Sequence, residues 1–97
     1  MNHYKFLEAN IETFFKSVGL DKHQHIGLIV AAGDKCYGYK SKWETAGIPF
    51  EHGVMLYLLT YTNLYEKEVR ETSDGWVDVS KWVIDNYMRF KPHLDLL

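Results

Sequence analysis

One cysteine, two prolines and seven scattered glycines are all that this 97-residue sequence has of the residues that staple or punctuate a chain. A single cysteine closes no internal disulfide, so nothing points to an oxidising compartment. Unclustered proline and glycine leave no linker and no low-complexity segment. The longest apolar run, Val54 to Leu59, is far short of the roughly 20 residues that cross a bilayer. The opening Met-Asn-His-Tyr-Lys-Phe-Leu-Glu holds no apolar signal block. A glycine-rich phosphate loop, a nucleophile elbow, a His-Glu metal helix and an internal repeat are all missing. These absences set the expectation of a single cytoplasmic domain over residues 1–97, with no cofactor, no membrane association and no enzymatic activity.

What is present is aromatic and unevenly charged. Fifteen residues are Phe, Tyr or Trp, and 46% of the chain is hydrophobic, which is globular composition with enough apolar mass for a core. From Glu44 to Tyr87 eight acids face three bases, while the flanks are net basic, and the whole chain carries a formal −2.

Periodicity predicts an α+β fold: a small antiparallel sheet packed by an N-terminal and a C-terminal helix. Tyr4, Leu7, Ile11, Phe14, Phe15 and Val18 recur at steps of three and four, giving a helix over about 3–18 that Gly19 would end. Ile26, Leu28 and Val30 alternate, Gly33-Asp34-Lys35 reads as a turn, and Cys36 to Trp43 alternates again, so 25–43 reads as a hairpin. Over 49–70 helix and strand compete. Pro49 and Glu51 suit a first helical turn, whereas Val54 to Thr62 suits a buried strand, and the length of the run favours helix. Thr72-Ser-Asp-Gly75 is a turn signal that would join short strands at Val69–Thr72 and Trp76–Val79. A last helix over about 79–90 takes Asp78 or Ser80 as its cap and Pro92 as its stop.

Four groups of residues could carry chemistry or binding. Cys36 beside Lys35 is a nucleophile only if a neighbouring base lowers its pKa, and no histidine lies in a motif that would put one there. A small packed side chain is the simpler role. His23 and His25, with Cys36 or His52, have the right ligand types for zinc, but structural zinc sites bring two close pairs and here there is one. On a strand, Tyr37, Tyr39 and Trp43 would form a stacking platform for unpaired bases, with Lys40 and Lys42 for phosphates. Strand alternation, however, would turn the lysines away from the rings, and the acidic net charge works against nucleic acid.

The fourth group is the acidic segment. Glu66, Glu68, Glu71, Asp74 and Asp78 crowd around a turn, interleaved with Tyr65 and Trp76. Crowded carboxylates repel unless paired, so the cluster fits either a solvated surface neutralised by Lys67, Arg70 and Lys81 or a face for a basic partner. The expectation is a small regulatory binding protein, an inhibitor or adaptor of the kind that phages and mobile elements encode. Its partner would be a larger, basic, nucleic-acid-handling protein, and a homodimer is compatible with the same sequence. That assignment rests on how often small motif-free domains serve this purpose. The alternatives are a single-strand nucleic-acid binder through Tyr37 to Trp43, and a small Cys/His-dependent or metal-dependent enzyme.

Overall fold

A computed structural model describes residues 5–20, 26–71 and 78–97, with backbone only at 5–8, 26–30 and 63–64. Its elements are α1 (Lys5–Ser17), α2 (Ile26–Cys36), a 3-10 turn (Tyr37–Tyr39), α3 (Lys40–Thr45), α4 (Phe50–Leu59), α5 (Asn63–Glu71) and α6 (Val79–Leu94). No strand occurs among the described residues. The expected α+β fold is therefore corrected to an all-helical one, and the hairpin over 25–43 is replaced by α2, the 3-10 turn and α3. Of the short strands, Val69–Thr72 begins inside α5, and 72–77 lie outside the described residues.

The physical reason lies in α4. Every residue from Gly53 to Leu59 is buried, so this helix is apolar on all sides and needs cover all round. It touches α1, α2, α3, α5 and α6. Each of these neighbours spends one stripe on that cover. Ile11, Phe14 and Phe15 are buried from α1, Ala32 and Cys36 from α2, Tyr65 and Val69 from α5, and Trp82, Val83, Phe90 and Leu94 from α6. A central rod is wrapped by helices, whereas a sheet would cover two faces and leave its sides bare.

Glycine ends two of the helices. Gly19 (φ 90) and Gly47 (φ 83) are left-handed, and each closes a Schellman motif. After α1, Gly19 N–H donates to the Lys16 carbonyl at 3.1 Å and Leu20 N–H to Phe15 at 2.9 Å. After α3, Gly47 N–H donates to Glu44 at 3.0 Å and Ile48 N–H to Trp43 at 2.9 Å. Pro49 is the N-cap of α4, just outside the helix, and its carbonyl accepts from Gly53 N–H. Asp78 caps α6: its carboxylate accepts from Lys81 N–H at 3.2 Å and from the Ser80 hydroxyl at 2.6 Å. Pro92 does not end α6, which runs on to Leu94. Proline removes one helical bond, here the one to the Met88 carbonyl, and burial of Phe90 and Leu94 on either side holds the last turn in place.

Trp43 is the pin between α3, α4 and α6. Its side chain is fully buried, and its indole N–H donates to the Ser80 carbonyl at 3.2 Å. Its six-membered ring occupies the space where a side chain on Gly53 would begin: a Cβ there would overlap Cε3 and its ring neighbours. Helix propensity alone makes Gly53→Ala stabilising by about 1 kcal/mol. The clash reverses the sign, and denaturant titration of Gly53→Ala should show a loss of about 2–3 kcal/mol. A gain in stability would refute the close approach.

Candidate functional site

The acidic segment folds largely into α5 and the start of α6. Tyr65 and Val69 fall on the inner face of α5 and leave Glu66, Lys67, Arg70 and Glu71 outward. Tyr65, only 8% exposed, is a core residue: its ring meets Phe90 edge-on at 5.5 Å and Trp82 at 6.4 Å. Burial raises its phenol pKa, against the pull of Arg89. The Trp82 indole N–H, in the same cluster, is buried with no hydrogen-bond partner among the described residues.

Each described carboxylate of the cluster has a cation or a cap. Arg70 reaches Glu66 at 2.7 Å, and Lys67 reaches Glu71 at 3.9 Å, both one helical turn apart. Glu68 pairs with Arg89 of α6, whose guanidinium also lies 4.9 Å from the Phe90 ring centre and 5.7 Å from that of Tyr65. Asp78 is held below the usual carboxylate range, first by the Ser80 hydroxyl and then by Lys81 N–H, with Lys42 at 3.9 Å. Asp74 and Trp76 lie outside the described residues. Arg89 and Lys42 are the counterions that sequence spacing did not suggest, because both come from elements distant in the chain. An open depression lies over Glu66, Lys67, Arg70 and Glu71 on α5.

The aromatic platform is rearranged by the helical backbone. Trp43 is inside, Tyr39 is half-buried with its ring 5.5 Å from Trp43, and only Tyr37 is well exposed, at 62%. Tyr37 meets half-buried Phe50 edge-on at 5.8 Å, and Lys40 lies 5.4 Å from its ring centre. Lys42 turns away to the Ser80 hydroxyl at 3.3 Å and to Asp78. What stays outside is one tyrosine beside one lysine, with Phe50 behind it. Phe50 was not singled out in the sequence, and its place after the Pro49 cap was the available signal.

Cys36 is buried, and that burial pushes its thiol up to about 12, with Lys35 pulling weakly the other way. The His52 Nδ1 lies 3.1 Å from the Tyr87 hydroxyl, linking α4 to α6. His23 and His25 lie outside the described residues, and among the described residues no three His, Cys, Asp or Glu side chains gather as metal ligands. No described helix is long and apolar enough to cross a membrane.

Comparison with protein-family models, curated proteins and solved structures finds no match to this chain. Its surface chemistry therefore has to speak for itself.

Two expectations follow from these environments. Because the thiolate is the reactive form, Cys36 in the native protein at pH 8 should react with a disulfide reagent on the order of a thousandfold more slowly than in denaturant. Equal rates would place the thiol at the surface. Burial holds His52 below its usual 6.5, outweighing Glu51 and Asp95, while Lys91 adds to the depression. The unfolded chain then binds the proton more readily, so this stability is present above 6.5 and is lost as pH falls through the lowered value. His52→Gln should flatten the fall in denaturation midpoint between about pH 7 and pH 5. A midpoint profile parallel to that of the unaltered protein would show that another group drives the acid response.

Proposed function

We propose that this chain is a small regulatory binding protein that engages a basic surface of a larger protein, of the sort found on proteins that handle nucleic acid, through the outer face of α5. The observation that supports this reading is the open depression on α5, lined by Glu66 and Glu71 of the acidic cluster together with Lys67 and Arg70. The pairs bordering it, Arg70 with Glu66 and Lys67 with Glu71, join side chains that are 41–81% exposed. Such pairs contribute only about 0.3–0.5 kcal/mol each, so a partner's lysine or arginine can replace the internal cation at little cost. Glu68 is a different case. Its tie to Arg89 braces α5 against α6, which makes Glu66 and Glu71 the carboxylates free to change partner. The chain segment that carries Asp74 and Trp76 follows α5 directly, and an indole there would supply the apolar anchor that interfaces concentrate near their centre.

Charge reversal at Glu66 and Glu71 together tests the reading. Both are at the surface, where substitutions shift stability by about 0.5 kcal/mol or less, so the fold should persist by circular dichroism. Captured partner should be lost with Glu66→Lys and Glu71→Lys, should resist nuclease, and should weaken as the Debye length shrinks from about 10 Å at 0.1 M salt to about 3 Å at 1 M. Undiminished capture by the folded double variant would remove α5 as the contact. Capture abolished by nuclease would favour direct nucleic-acid binding beside Tyr37 and Lys40 instead.

A further inference from the structure

On α6, Tyr87 turns to His52 of α4 and Arg89 turns to Glu68 of α5, so the ridge between them faces away from the molecule. Met88 is the crest of that ridge and is 72% exposed. At 3.6 residues per turn, Lys81, Asp85, Met88, Pro92 and Asp95 fall within an arc of about 80°. The order along this strip is base, acid, apolar, apolar, acid. Counted from Met88, Lys81 lies seven residues before and Asp95 seven after, and Asp85 lies three before while Lys91 at the edge lies three after. Lys81 and Asp95, each about 20° from the Met88 line, therefore come opposite each other when the helix is reversed about Met88, whereas Asp85 and Lys91 fall on opposite flanks of the strip. Ile84 and Pro92, four residues to either side, keep the middle apolar.

We propose that this ridge is an isologous docking face for a second copy of the same chain, with two α6 helices antiparallel across a twofold axis at Met88. That axis sets Lys81 of one copy against Asp95 of the other, twice, and brings the two Met88 side chains together. Self-complementarity of one patch is what a twofold contact requires. The charges are already ordered for it: Lys81 lies 2.6 Å from Asp85 and Lys91 lies 2.8 Å from Asp95 within each helix, and all four side chains are 42–69% exposed. Met88 adds an adaptable apolar side chain at the point where the copies meet. A contact confined to one four-turn helix stays below about 1,200 Å² in total, the range of weak and transient association. This face is separate from the outward side of α5.

Sedimentation equilibrium of the full chain from about 10 µM to about 1 mM at low salt should show monomer passing to dimer. Met88→Asp should weaken the dimer at least about tenfold by setting two carboxylates on the axis. Lys81→Asp should weaken it about fivefold, and adding Asp95→Lys should restore it. That rescue cannot come from within one helix, because the double variant faces Asp85 and Lys91 with like charges. The exchanged charges suit the helix dipole, an acid near the start and a base near the end, so the helix itself is retained. In Met88→Cys the new thiols meet across the axis and mild oxidation should link the copies, while Lys67→Cys on α5 should not. A monomer at the top concentration, a dimer indifferent to Met88→Asp, or a double variant no tighter than Lys81→Asp alone would overturn the proposal.

Discussion

Trp43 sits where α3, α4 and α6 meet because Gly53 has no side chain to keep it out. The approach is so close that the indole ring takes the place a Cβ would have. Its N–H is then aimed at the Ser80 carbonyl in the first turn of α6, an oxygen with two lone pairs that accepts it beside its own helical bond. Asp78 and Ser80 around that turn bind each other and Lys42, the residue next to Trp43. One buried side chain thereby fixes the position of a helix that follows it by some forty residues. Much of what the surface presents depends on this. The register of α6 decides that Arg89 reaches Glu68 and that Met88 is left outside.

A second constraint is the apolar circumference of α4. A helix buried from Gly53 to Leu59 cannot be the edge of anything. It forces α1, α2, α5 and α6 to be amphipathic and leaves charge only on their outward stripes. The acids that crowd the sequence between Glu66 and Asp78 are sorted by this geometry into two kinds. Glu68 and Asp78 are tied to other elements and brace the fold, by pairing with Arg89 and by capping α6. Among the described residues Glu66 and Glu71 pair within α5, and they can exchange partners without moving it. The aromatics divide in the same way. Tyr65 and Trp43 belong to the core, and Tyr37 stays outside with Lys40.

The ends of the chain's elements were more legible than their type. Gly19, Pro49 and Asp78 were readable as a helix stop and two helix starts because each acts through its own backbone or through a neighbour in sequence. The segment from Ile26 to Trp43 was misread as a hairpin because alternation and helical spacing overlap in it. Tyr37, Tyr39 and Trp43 alternate, yet Tyr39 and Trp43 are also one helical turn apart. Gly33, read as a turn, is inside α2 and buried. Its cost of about 1 kcal/mol in a helix is small beside the burial of Ala32 and Cys36. Of the candidate site, the acidic stretch could be seen in the sequence, but its counterions could not.

Composition and spacing by themselves determined an aromatic-rich globular composition, a C-terminal helix begun at Asp78 or Ser80, and an excess of carboxylates between Glu44 and Tyr87. Those properties come from interactions within a few residues, which spacing records. The tertiary structure alone decided helix over strand in 26–43, the burial of Trp43 and Tyr65, the pairing of Glu68 with Arg89, and the exposure of Met88. Each of these depends on elements far apart in the chain closing around α4, and the free energy of that closure outweighs any local preference.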